Sequence, residues 1–94
     1  MAMPASDFRY TLGTPKQFRR PDLERGVVRE FCGTCGTHLT TRSPALLNAV
    51  ILKVGTLDEP AEFGAPQMSM QVADAQGFHH IADGIPAFDR FPGR

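Results

Sequence analysis

The 94-residue sequence has no tryptophan, a single tyrosine and only two cysteines. Its ten basic and ten acidic residues cancel, so no long-range positive field would attract nucleic acid or an anionic membrane. The longest apolar run, residues 49–52, is far too short to cross a bilayer, and residues 1–7 lack the basic and apolar regions of a signal peptide. These absences predict a cytoplasmic protein with no nucleic-acid partner and no membrane partner.

The sequence also has no pattern of apolar residues that predicts a long helix. Eight prolines and nine glycines are spread so evenly that no helical spacing of apolar residues continues for three turns. Short segments bounded by Gly, Pro or Asp have strand-like composition instead. These segments are residues 8–12, 27–31, 38–41, 50–54 and 68–72. With one helical turn over residues 43–48 and no internal boundary or repeat, the sequence predicts a single, mainly β domain over residues 1–94.

The last of these segments has a two-residue period. Met68, Met70 and Val72 alternate with polar residues, which is typical of a half-buried strand. The methionines are therefore predicted to belong to the core and not to a ligand-binding surface.

Both cysteines lie in one motif, Phe-Cys-Gly-Thr-Cys-Gly-Thr-His-Leu, at residues 31–39. Two intervening residues let Cys32 and Cys35 reach one zinc ion from the same side, and Gly36 can adopt the positive φ that such a knuckle needs. Tetrahedral structural zinc needs four ligands. The motif therefore predicts half of a zinc site.

Two other uses of the pair remain open. A thioredoxin-like redox pair opens a helix after a strand, whereas the residues after Cys35 are β-branched and have no helical spacing, which favours a turn leading into a strand. A structural disulfide is typical of secreted domains, and the first residues do not have the pattern of a signal peptide. The zinc interpretation is the one that the context favours.

Several blocks in order resemble one family. They are the motif around Cys32 and Cys35, then Gly-Thr-Leu-Asp at residues 55–58, and then Gly-Ile-Pro-Ala-Phe at residues 84–88. Together they resemble the glutathione-dependent formaldehyde-activating enzyme (GFA) domain, also found in centromere protein V, from about Phe8 to the end. Each block alone would be weak, but their order is specific.

The resemblance implies a small, twisted antiparallel β fold, a GFA-like β-tent, with two zinc sites. In the family the late Cys-x-x-Cys, which matches Cys32 and Cys35, shares a structural zinc with an earlier Cys-x-Cys. A separate three-cysteine cluster holds the catalytic zinc, which acts on the adduct of glutathione and formaldehyde. The family's other cysteines have no counterpart here. The resemblance thus implies a carbon–sulfur lyase relative that is incomplete at its N-terminus, either a truncated product or a shortened natural form.

These departures leave two function classes in competition: a GFA-type enzyme, and a non-catalytic zinc-binding interaction module. We predict that these 94 residues alone do not catalyse. We also predict a homodimer, because strands that lack the family's early segment would expose sheet edges and apolar faces. Two thiolates from each of two copies would then complete a zinc site.

The remaining polar candidates have weaker patterns. His38 could coordinate a metal only if the turn folds back, and of the adjacent His79 and His80 at most one could point into a shared site. Asp58 is predicted to end a strand. A glutathione-type small molecule could be bound through its carboxylates by guanidinium groups, although a solvated sheet edge is the expected role of these arginines. They are Arg19, Arg20, Arg25 and Arg29.

Overall fold

A computed structural model describes residues 1–92. The chain forms two compact units, Met1–Pro60 and a second unit that starts at Ala61. Short 3-10 turns lie at Ala5–Asp7, Val54–Thr56, Pro60–Phe63 and Val72–Asp74. Among the described residues, no helix is long and apolar enough to cross a membrane.

The first unit is built on one five-stranded sheet. Its strands are β1 (Ala2–Pro4), β2 (Lys16–Phe18), β3 (Val28–Phe31), β4 (His38–Arg42) and β5 (Ala49–Leu52). Their spatial order is β1-β5-β4-β3-β2, and every neighbouring pair is antiparallel. The mainly β prediction is confirmed.

Three predicted strands correspond to β3, β4 and β5, but the prediction for residues 8–12 was wrong. In that segment Phe8 and Tyr10 form an edge-to-face ring pair, with centroids 5.1 Å apart, and the backbone joins no ladder. Side-chain packing replaces strand pairing there. Residues 43–48 form two hydrogen-bonded turns, closed by Leu46 N–H on the Ser43 carbonyl and by Ala49 N–H on the Leu46 carbonyl.

The centre of the sheet is partly polar. Val50 is completely buried, but so are Thr40 and, nearly, Thr41 and Glu30. These four residues lie on the three central strands β3, β4 and β5. Buried polar groups need hydrogen-bond partners, so this core must contain a side-chain network.

Both edges of the sheet are poor templates for another strand. Pro4 lies in the edge strand β1 and has no N–H to donate to a further strand. At the other edge, β2 carries Lys16 and is followed by Arg19 and Arg20. Proline and positive charge at edges discourage strand addition.

The second unit has no buried residue among those described from Ala61 onward. Its backbone is held by a parallel bridge between Ser69 and Ala87, with Phe88 N–H donating to the Ser69 carbonyl at 2.8 Å, and by further hydrogen bonds such as Val72 N–H to the Phe88 carbonyl at 3.0 Å. The prediction of a half-buried strand at residues 68–72 was therefore wrong: Met68 and Met70 are 45% and 41% exposed. Gln71 adopts the left-handed conformation, φ 59°, which ends the extended backbone before Val72 begins a 3-10 turn.

Candidate functional site

Cys32 and Cys35 lie in the tight turn that connects β3 to β4. The N–H of Cys32 donates to the Thr37 carbonyl and the N–H of Gly36 donates to the Cys32 carbonyl, each at 2.8 Å. Gly36 adopts φ 80°, the left-handed conformation that the sequence suggested for it. Both thiols are free. The turn therefore presents the two cysteines side by side near its tip.

The turn stabilises negative charge on one sulfur. Hydrogen bonds from the N–H of Cys35, then from the N–H of Thr34, and then from the Cys35 side chain lower the pKa of Cys32 to about 7. The Cys35 sulfur lies 3.0 Å from the hydroxyl oxygen of Thr37. Thiolate is the form of cysteine that binds metals and attacks electrophiles, so the backbone prepares Cys32 for either role.

A cavity of about 490 Å³ lies beside the turn. Cys32, Gly33 and Thr34 form one wall, and Tyr10 and Lys16 contribute to the rest. A side chain at Gly33 would begin 3.2 Å from the aliphatic carbons of Lys16, so the glycine allows Lys16 to lie across the turn. The cavity gives a small molecule access to the Cys32 side of the pair.

A buried carboxylate lies two residues before Cys32. Glu30 accepts hydrogen bonds from the Thr40 hydroxyl at 2.7 Å, the Gln17 amide at 2.9 Å and the Arg42 Nε at 2.9 Å. The Tyr10 hydroxyl lies 3.3 Å from both Glu30 Oε1 and the Thr40 hydroxyl. Burial raises the pKa of Glu30, but the hydrogen bonds from Thr40, Gln17 and Arg42 outweigh it and bring the pKa to about 2.

Arg42 and Tyr10, which both contact Glu30, also contact the ring of Phe8. The Arg42 guanidinium carbon lies 5.9 Å from the centre of the Phe8 ring, within cation–π range. Burial is the main cause that raises the pKa of Tyr10. The aromatic segment thus covers the Glu30 network, and Tyr10 belongs to both the network and the cavity wall.

The Glu30 network makes stability depend on pH. Its folded pKa of about 2 lies below the ordinary value of 4.5, so its contribution is fully present above pH 4.5 and is lost as the pH falls toward 2. We expect the urea midpoint of the wild type to exceed that of Glu30→Gln above about pH 5, and the difference to shrink steadily below it. A difference that stays constant down to the acid limit would contradict this assignment.

The hydrogen-bond partner of His38 is Thr41 and not a cysteine. Its Nε2 is 3.4 Å from the Thr41 hydroxyl. Burial first, and then the positive charges of Lys53 and Arg29, lower the pKa of His38. The structure gives His38 a partner on its own strand.

The other candidates are dispersed. His79 accepts the N–H of Gln76 on Nδ1 at 2.8 Å, and His80 and Asp58 are exposed. The exposed arginines mostly use local partners: Arg19 bonds the Glu24 carbonyl, Arg20 pairs with Asp22, and Arg25 bonds the Pro44 carbonyl. Over residues 1–92, no group of three or more His, Cys, Asp or Glu side chains could hold a metal ion.

Sequence comparison identifies the family. The family model of the glutathione-dependent formaldehyde-activating enzyme, GFA, matches residues 1–74. The chain belongs to the GFA family. The match covers the whole sheet of this GFA domain, including the cysteine turn and the Glu30 network. No curated protein and no solved structure matches the chain.

Proposed function

We propose that this GFA domain binds zinc through Cys32 and Cys35, and that these 94 residues alone do not form the adduct of glutathione and formaldehyde. The observation that carries the proposal is the tight turn between β3 and β4, closed by the Gly36 N–H on the Cys32 carbonyl at 2.8 Å, in which the N–H groups of Cys35 and Thr34 stabilise the Cys32 thiolate. N–H groups directed at a sulfur are the outer contacts that orient a thiolate ligand and tune its basicity.

The residues of the turn fit a structural zinc. Two thiolates separated by two residues are a common half of a Cys₄ or mixed Cys/His site. Zinc bound there would cross-link the turn and add its binding free energy to folding. Gly36 and the two N–H donors are fixed by the backbone, so the chain itself holds the pair in place for the metal.

The other two ligands would come from a second copy of the chain. Cys35 is exposed and Cys32 is only half-buried, so the pair lies at the surface, where a symmetric partner could present its own pair. A homodimer with one zinc bound by four thiolates would satisfy the metal. Both sheet edges discourage strand addition, which favours joining the two copies at the cysteine turns.

Catalysis by the isolated chain is not expected from this ligand set. A catalytic zinc uses about three protein ligands and keeps one position open for water or substrate. The two cysteines of the chain are both committed to one turn. The proposal therefore separates a zinc-dependent structural role from the activity for which the family is named.

Metal stoichiometry and assembly test the zinc proposal together. We expect protein purified without chelator to contain one zinc per two chains and to sediment as a dimer that dissociates when a chelator is added. One zinc per monomer would place the remaining ligands within the chain. Absence of zinc, with no change of mass on chelation, would refute the proposal.

Activity is tested separately. We expect no formaldehyde-dependent consumption of glutathione above the uncatalysed rate, with or without added zinc, because no second ligand set accompanies the pair. The matched control is the same assay with Cys32→Ser, which should give the same background. Turnover by the wild type that a chelator abolishes would contradict the non-catalytic assignment.

A further inference from the structure

The cysteine turn combines two free thiols with a cavity that reaches only one of them. Cys32 lines the cavity of about 490 Å³, whereas Cys35 is exposed on the turn beside it and is not part of the cavity wall. A small molecule in the cavity therefore lies against Cys32 and not against Cys35, which is three residues further along the chain.

We propose that Cys32 and Cys35 form a dithiol that reduces small-molecule disulfides entering this cavity and becomes an intramolecular disulfide. Cys32 is the attacking sulfur and Cys35 the resolving sulfur. The inference concerns the metal-free chain, so it does not depend on zinc binding.

The reaction proceeds by two exchanges. The Cys32 thiolate attacks one sulfur of the disulfide R–S–S–R, a Cys32–S–S–R bond forms, and R–S⁻ leaves and takes a proton from water. The Cys35 thiolate, its proton released to solvent, then attacks the Cys32 sulfur and expels the second R–S⁻, which is protonated in turn. The two protein thiols lose two electrons, and the small disulfide gains them to become two thiols.

The turn geometry supports the second exchange. The hydrogen bond from Gly36 N–H to the Cys32 carbonyl, at 2.8 Å, closes the backbone around the pair. Cysteines in a closed turn of this length lie within the Cα separation of about 4.4–6.8 Å that disulfides require. No other thiol of the chain competes, because it has only these two.

The cavity favours small, compact disulfides. Its walls combine the Tyr10 ring, the aliphatic carbons of Lys16 and the backbone of Gly33, with no acidic side chain among the residues that line it. Neutral or anionic disulfides of small thiols match this lining better than cationic ones, because Lys16 is its charged residue.

The test uses the full chain stripped of metal by a chelator and treated with excess bis(2-hydroxyethyl) disulfide. After acid quenching, mass spectrometry should find that the wild type has lost two hydrogen atoms and carries no adduct. Cys35→Ser should stop at a single mixed disulfide on Cys32. Cys32→Ser should form its adduct on Cys35 roughly tenfold more slowly, because Cys35 is not a cavity residue.

The same reactions in urea test whether the rate difference depends on the fold. In urea the unfolded Cys35→Ser and Cys32→Ser chains should form their adducts at nearly equal rates. If Cys32→Ser does not fold, fragmentation of wild-type protein quenched early should still locate the trapped adduct on Cys32. Equal rates for the two variants in native buffer would overturn the proposal. So would stable adducts on both wild-type cysteines, or two thiols that remain unreacted.

Discussion

Replacing Cys32 with serine should remove zinc from the purified chain and lower its thermal unfolding midpoint in buffer that contains zinc. A serine hydroxyl does not replace a thiolate as a zinc ligand, and the N–H groups of Thr34 and Cys35 lose the thiolate that they stabilise. Elemental analysis and thermal denaturation measure the two effects on the same samples.

Two comparisons isolate the metal as the cause. Thr34→Ser keeps the backbone N–H and both sulfurs, so it should retain zinc and its midpoint. Wild-type protein in chelator should unfold at the same temperature as Cys32→Ser. If Cys32→Ser is destabilised equally with and without chelator, or still carries the wild-type amount of zinc, the knuckle assignment is wrong.

Replacing Glu30 with alanine should destabilise the domain by about 3 kcal/mol, because it leaves the buried Thr40 hydroxyl and the half-buried Arg42 guanidinium without their acceptor. Thr40, Gln17 and Arg42 all donate to this carboxylate. The Glu30 side chain is only 6% exposed, although Arg42 at 40% can recover some hydration. For a domain with a total stability of about 5–15 kcal/mol, this is a large loss.

Urea denaturation at neutral pH measures the loss of stability, and a variant of an exposed ion pair serves as the control. Asp22→Ala removes a carboxylate from the Arg20–Asp22 pair, in which both side chains are 59% exposed, so little change is expected. Glu30→Gln keeps the shape and one acceptor oxygen and should lie between alanine and wild type. Similar midpoints for Glu30→Ala and Asp22→Ala would show that the network contributes little.

The central strands could be predicted from composition because they are local patterns. β4 and β5 contain β-branched or apolar runs, and β3 follows a glycine and begins in a pair of valines at residues 27–28. β1 and β2 could not be predicted in this way, because Ala-Met-Pro and Lys-Gln-Phe have no β-branched residue and no alternation. They are strands because Met3 pairs with Val50 and Gln17 with Glu30, and such long-range pairing overrides local preference.

The candidate site also has one part that the sequence predicts and one part that it does not. The spacing of Cys32 and Cys35 and the glycine after them predicted the turn, since every hydrogen bond that shapes it is local. The Glu30 network carries no such signal, because its partners lie 10 to 20 residues away in the sequence. The alternation at residues 68–72 was a false signal: a two-residue period requires an extended backbone throughout, and Gln71 leaves that conformation.

The strand order also bears on the sequence of folding events. β3 and β4 form a hairpin whose loop contains both cysteines, and hairpins close in microseconds. β1 joins β5 through contacts such as Met1 N to the Leu52 carbonyl, 51 residues apart, and closing so long a loop has a larger entropic cost. We therefore expect the two thiols to come together early in folding, before β1 joins the sheet.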